Sequence, residues 1–270
     1  MSVKNPVELG WHASNLFAYH IDDKAGEVTY FLDQKDPKFK VPYFNSGLNA
    51  PGGNYVKGRH DFHSPDELLR REIAEEFYAV HEEDEGLGFA FKGDPKKEGS
   101  KESHSGVNME RISRVVPMLL NGVRYVGSVV TQYNFPTLRL VEPAASTSLY
   151  AKELSADEYQ VLSALVDEFR GGLSTDALKW GGANRFVPTK DFPTSKFAYD
   201  AGHKFLELFN RGLLPRPEGH LVLPAVVGAR ITQFIGPDVS LEEKLKTDLG
   251  TPTFEAFEGP LGFRFRVHSK

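Results

Sequence analysis

The chain has 270 residues, with Lys+Arg 32 against Asp+Glu 37, a net charge of -5 and no cysteine. No basic excess marks a nucleic-acid surface, and the missing cysteines exclude disulfides, thiolate zinc sites, iron–sulfur clusters and cysteine nucleophiles together. A hydrophobic content of 40%, with 20 Phe, is enough to bury a sizeable core and excludes a mainly disordered chain. Met1–Trp11 lacks the apolar stretch of a secretory signal, and no run of about 18 apolar residues occurs. The expectation is a soluble, cytoplasmic protein that contacts neither membrane nor nucleic acid.

Ser14–Ile21 and Gly26–Asp33 are rich in aromatic and β-branched residues and flank a short polar stretch, so they read as a β-hairpin. Val41–Ala50 is a further apolar stretch, closed by Pro51-Gly52-Gly53. Ser64-Pro65-Asp66-Glu67 is a capping box with proline at the first helical position. It predicts a helix from Pro65 to about His81, with Leu69, Ile73, Phe77 and Val80 on one stripe. The Gly, Lys and Ser-rich Lys92–Ser105 reads as a loop.

Ile112–Leu120 and Val123–Phe135 read as strands joined by a turn at Asn121-Gly122. A second capping box, Ser155-Ala156-Asp157-Glu158, opens a helix with Leu162, Leu165, Val166 and Phe169 on one face, and Gly171-Gly172 ends it. A third helix fits Ser195–Arg211, with Phe197, Ala201, Phe205, Leu208 and Phe209 together. In the tail, His220–Ile235 is β-like, Ser240–Leu249 begins with a third Ser-x-x-Glu, and Phe254–Val267 reads as extended.

The chemistry concentrates in Arg71-Glu72-Ile73-Ala74-Glu75-Glu76. Glu72, Glu75 and Glu76 stand at i, i+3 and i+4, so their carboxylates share one helix face beside the apolar stripe. Like charges at that spacing repel by a few tenths of a kcal/mol per pair, roughly 0.2–0.5. A divalent cation would remove the repulsion, and hard oxygen ligands suit Mg²⁺ or Mn²⁺. The bland alternative is a solvated acidic face.

This string, in a capped helix after Pro51-Gly52-Gly53, resembles the Nudix hydrolase box: Gly, five residues, Glu, seven residues, then Arg-Glu-apolar-x-Glu-Glu-x-Gly-apolar. The resemblance implies an α/β fold, a Nudix-type α/β/α sandwich with a mixed β-sheet, over residues 1–212. It places an insertion at Glu142–Gly182 and a C-terminal extension over 213–270 that packs on the domain or makes a homodimer. It implies that Glu72, Glu75, Glu76 and the Gly53 carbonyl bind Mg²⁺ or Mn²⁺, or that Glu72 assists as base, and that Arg71 orients a carboxylate through a bidentate pair. Three features depart from the box. The Gly53-to-Arg71 spacing is four residues longer, His63 stands where the pre-helix glutamate belongs, and Tyr78 replaces the glycine after the metal pair.

Arg59, Tyr43 and Phe44 are candidates for gripping substrate, the arginine through a phosphate and the aromatics by stacking a base. His60-Asp61-Phe62-His63 reads as a polar loop beside the site. Glu102, Glu110 and Glu142 are candidates for a further acidic ligand. The function implied is Mg²⁺-dependent hydrolysis of a phosphoanhydride in a nucleoside diphosphate linked to another moiety, of ADP-ribose or nucleotide-sugar type. The alternative is a Nudix-like module that binds a nucleotide or partner without turnover, which the departures favour.

Overall fold

A computed structural model describes residues 8–39, 44–54, 65–77, 106–135, 140–216, 221–224, 228–238, 253–259 and 262–268. The organising strand is β1 (Glu8–Asp22). One edge of it takes three antiparallel partners in turn: β2 (Glu27–Gln34) at its end, β4 (Gly52–Asn54) at Ala13–Asn15, and β10 (Gly262–His268) at its start. The other edge pairs in parallel with β6 (Leu140–Glu153), which pairs antiparallel with β5 (Arg124–Phe135). β3 (Leu48–Asn49) and β7 (Ala183–Pro188) lie on β2, β8 (Ala229–Ile235) on β5, and β9 (Thr253–Gly259) on β10. The sheet is therefore mixed, as the α/β expectation required.

Strand alternation sends side chains to two faces, and helices cover both. One face holds Leu16, Ala18 and Phe31 under α1 (Pro65–Glu76), which contributes Leu69 and Ile73, with Phe77 just past its end. Each such side chain, fully withdrawn from water, contributes about 1.5–3 kcal/mol. Around it lie α2 (Gly106–Ser113), α3 (Val115–Leu120) and α4 (Ala156–Glu168). The opposite face holds Phe17, Tyr30 and Leu32 under α6 (Ala201–Asn210), where Phe17 meets Phe205 edge-on at 4.9 Å. The short α5 (Thr175–Trp180) precedes β7. Among the described residues, no helix is long and apolar enough to cross a membrane.

Several expectations need correction. Ile112–Leu120 is helical, not a strand. Ile112, Val115, Val116 and Leu119 recur at i, i+3, i+4 and i+7, and all four are buried against α1's cluster. Asn121-Gly122 consequently stops a helix: Asn121 is the cap and Gly122 takes φ 72, left-handed backbone in which glycine carries no Cβ penalty. The third helix starts late. Thr189–Thr194 is a 3-10 turn, Phe197 bridges to Leu48, and only Ala201–Asn210 is α-helical. α1 ends at Glu76, with residues beyond Phe77 outside the described set, as are Ser64 and Ser240–Leu249.

The segment Glu142–Gly182 opens with most of β6, a central strand paired on both edges, so its first part belongs to the sheet itself. Its helical remainder carries the capping box as expected: Ser155 Oγ accepts from Glu158 N and the Glu158 carboxylate accepts from Ser155 N at 2.8 Å. The tail beyond Gly212 likewise adds β8 and β10 to the same sheet.

Candidate active site around Arg71

Two glycines bring a loop against α1. Gly52 and Gly53 lie opposite Asn15 and Ser14 in the β1–β4 pairing, and the Leu16 amide donates to the Pro51 carbonyl at 2.8 Å. The hydroxyl of Ser14 donates to the Pro65 carbonyl at 2.9 Å, which ties the same strand to the first residue of α1. Asp66 in that first turn accepts from the Tyr150 hydroxyl at 2.5 Å. Burial raises the Tyr150 phenol well above its usual value, and Asp66 adds to the effect.

Arg71 is the centre of this arrangement. Its side chain is 1% exposed. The guanidinium donates to the Glu75 carboxylate at 2.9 Å, to the Glu72 carboxylate at 2.6 Å and to the Asn54 carbonyl at 2.9 Å. The resemblance had Arg71 orienting a carboxylate through a bidentate pair, and the box glutamate before the helix is absent. The guanidinium here spreads from its two terminal nitrogens over two carboxylates of its own helix and one backbone oxygen of β4. Asn54 carries no motif signal, because any residue offers the same carbonyl.

Gly53 sits against Glu72. A Cβ built on Gly53 would fall 2.1 Å from Oε2 of Glu72. The site therefore brings together Gly53, Arg71, Glu72 and Glu75. Glu76 faces elsewhere. It is 9% exposed and accepts, at long range, from the Thr175 hydroxyl at 3.4 Å and the Asp176 amide at 3.3 Å. Burial, then the charges of Asp176 and Asp33, push its carboxyl well above the usual range. Asp33 is itself pushed up to about 6, chiefly by burial, while Lys35 and an Asn184 hydrogen bond of 2.5 Å pull the other way. Sequence reading missed Asp33, Asp176 and Asn184, whose meeting depends on strand pairing between residues far apart in the chain.

The donor chemistry here suits a hard divalent cation in part. Glu72 and Glu75 keep 13% and 21% exposure and offer carboxylate oxygens one turn apart, next to the Gly53 backbone. Glu76 would join them only by leaving its contacts at α5. Among the described residues, no group of three or more carboxylates and histidines already converges on one point. Of the other expected residues, Phe44 is 1% exposed and packs on Tyr199 at 4.3 Å, so no open ring face is left for a base. Tyr43, Arg59, His60, His63, Tyr78 and Glu102 lie outside the described residues. Glu110 is exposed and pairs with Arg114 at 3.7 Å, and Glu142 stands on β6.

No family model and no curated protein matches the sequence. This chain is similar to solved Nudix domains. The Nudix domain of Shewanella oneidensis NrtR, in a cocrystal with ADP ribose, aligns over 76% of this chain and 89% of its own, at 12% identity and a TM-score of 0.39. RenU, a Nudix hydrolase from M. Smegmatis, aligns over 77% and 89% at 10% identity and a TM-score of 0.35. A MutT/nudix family protein from Enterococcus faecalis aligns over 99% and 90% at 12% identity and a TM-score of 0.36.

Proposed function

We propose that this chain is a Nudix-type hydrolase, dependent on Mg²⁺ or Mn²⁺, that cleaves the phosphoanhydride of a nucleoside diphosphate linked to another moiety, of ADP-ribose or nucleotide-sugar type. The observation that carries the reading is the contact of Gly53 with Glu72, with Arg71 holding Glu72 and Glu75 together one turn apart. That juxtaposition gives the string resemblance a spatial counterpart. Glu72, Glu75 and the Gly53 carbonyl would hold the cation, with Glu76 as an added ligand. The cation would neutralise charge on the diphosphate oxygens and lower the pKa of an attacking water. Arg71 fixes the two carboxylates by charge-assisted bonds to both and by its anchor on the Asn54 carbonyl. Glu72 is the carboxylate assigned to take the proton, since it lies against the glycine loop.

A second reading is a binding module without turnover. It is favoured by the inward turn of Glu76, whose carboxyl burial pushes well above the usual range. One experiment separates the two. The purified chain and its Glu75→Gln variant are assayed with Mg²⁺ and Mn²⁺ against ADP-ribose, nucleotide sugars, dinucleoside polyphosphates and nucleoside triphosphates. Metal-dependent turnover lost in Glu75→Gln supports the hydrolase. Binding without turnover supports the module. Turnover untouched by the substitution removes Glu75 from the site.

A further inference from the structure

A groove of about 620 Å³ lies between α4 and β7. That size is within the range of small-molecule sites, roughly 300–1,000 Å³. Its lining is polar and carries two guanidinium groups, Arg170 and Arg185, against one carboxylate, Asp167.

Arg170 is held in left-handed backbone, φ 52, which is uncommon for a residue with a Cβ. Ending α4 does not demand an arginine there. Gly171 follows at φ 79, and its amide already closes the turn on the Val166 carbonyl at 2.7 Å. Among the described residues, none pairs with the Arg170 guanidinium. A residue kept in a disfavoured conformation, with its charge on a groove wall, points to use of that charge. Arg185 spends one donor on Gln34 at 2.7 Å and keeps the rest of its fork.

Ser163 lines the same groove, and its buried hydroxyl has no hydrogen-bond partner. Tyr159 completes a stiff wall: it stacks on His20 at 4.3 Å and meets Phe186 edge-on at 4.7 Å.

We propose that this groove binds a phosphomonoester with a hydroxyl-rich body, the chemistry shared by sugar phosphates and nucleoside monophosphates. The two arginines take the phosphate, whose planar oxygen pairs suit guanidinium forks. Asp167, exposed on the groove wall, takes the hydroxyls and disfavours more highly charged polyphosphates. The proposal does not depend on catalysis at α1.

Isothermal titration of the full chain in EDTA tests it, with inorganic phosphate, ribose 5-phosphate, AMP and ribose as probes. Removing divalent cations silences any metal-dependent binding at α1. Saturable binding of ribose 5-phosphate or AMP is expected, at least about tenfold tighter than that of ribose, a gap in keeping with one charge-assisted anion contact. Arg170→Gly should weaken it by about tenfold while leaving Tm unchanged or raised, because glycine takes a positive φ without strain. Arg185→Gln should weaken it similarly. The proposal is overturned by the absence of saturable binding, by wild-type binding in both variants, or by inorganic phosphate binding as well as the organic esters. Binding losses matched by a lower Tm in both variants would also overturn it, since the arginines would then be serving the fold.

Discussion

Gly53 faces the Glu72 carboxylate so closely that a methyl group on Gly53 would sit 2.1 Å from Oε2 of Glu72. The atom displaced by Gly53→Ala is the far end of a flexible side chain, so the fold can absorb the change. Neighbouring Gly52 differs: its φ is 136, and an added Cβ would fall 2.1 Å from the Ser14 backbone carbonyl. Gly53→Ala should therefore cost little stability, within about 1 kcal/mol, yet reduce turnover by about tenfold or more by displacing Glu72. Gly52→Ala should cost stability outright, on the order of 3 kcal/mol, through strain at its φ and collision with β1. Urea unfolding and turnover, measured on both variants, check the contrast. Equal losses of stability in the two would show that Gly53 serves only the loop.

Arg71 is buried with three acceptors and carries the charge balance of α1's inner face. Arg71→Met leaves Glu72 and Glu75 facing each other without their cation and frees the Asn54 carbonyl. The expected loss is about 3 kcal/mol, as for breaking a largely buried pair from one side. Arg71→Lys restores charge but not the fork, since one ammonium cannot reach all three acceptors in the same plane. It should recover part of the stability. A shift below about 0.5 kcal/mol for Arg71→Met would mean that solvent already screens the carboxylates.

Helix α1 was legible because its signals are local: a capping box, a proline at the first turn and an apolar stripe lie within one stretch of chain. The glutamate spacing was legible for the same reason. Ile112–Leu120 was misread because apolar, β-branched residues beside Asn-Gly satisfy the hairpin pattern as well as a helix end, and burial against Leu69 and Ile73 decided between them. The partners of Arg71 and Glu76 were out of reach for a different reason. A backbone carbonyl at Asn54 and an amide at Asp176 have no residue-type signature, and they arrive through the pairing of β4 with β1 and β7 with β2.

His12 and Asp33 give opposite pH responses. Burial lowers His12 to about 4, and its ring is hydrogen-bonded to the Ser146 hydroxyl at 2.8 Å. Between pH 6.5 and 4 the unfolded chain gains a proton that the folded chain refuses, so stability falls with acidification, by about 3 kcal/mol in total. Asp33 is raised to about 6. Between pH 6 and its unfolded value near 3.8 the folded chain takes the proton first, so stability rises with acidification, by at most about 3 kcal/mol. His12 opposes Asp33 over that window, while Glu76, whose carboxyl burial also raises, acts in the same direction as Asp33. His12→Gln should make the protein more stable at pH 5 than at pH 7, and Asp33→Asn should remove part of the gain on acidification. Parallel profiles for the two variants in urea unfolding at several pH values would rule this out.

On the opposite face of the sheet, Lys204 and Asp200 form a buried pair at 2.8 Å, with 6% and 2% side-chain exposure. The ammonium also donates to Asn15 Oδ1 at 2.8 Å, and Asp200 accepts from Thr131 at 2.6 Å. Every charge here is matched, so removing one partner strands the other away from water. Lys204→Met should destabilise by about 3–5 kcal/mol, because the Thr131 and Tyr133 hydroxyls that Asp200 keeps cannot replace a cation. Adding Asp200→Leu should recover most of that loss, since an apolar pair of similar volume carries no desolvation cost. The double-mutant cycle, read by urea unfolding, measures the coupling directly. Additive losses in the double variant would mean that the two charges are solvated independently, and that the network's value lies in the contacts to Asn15 and Thr131.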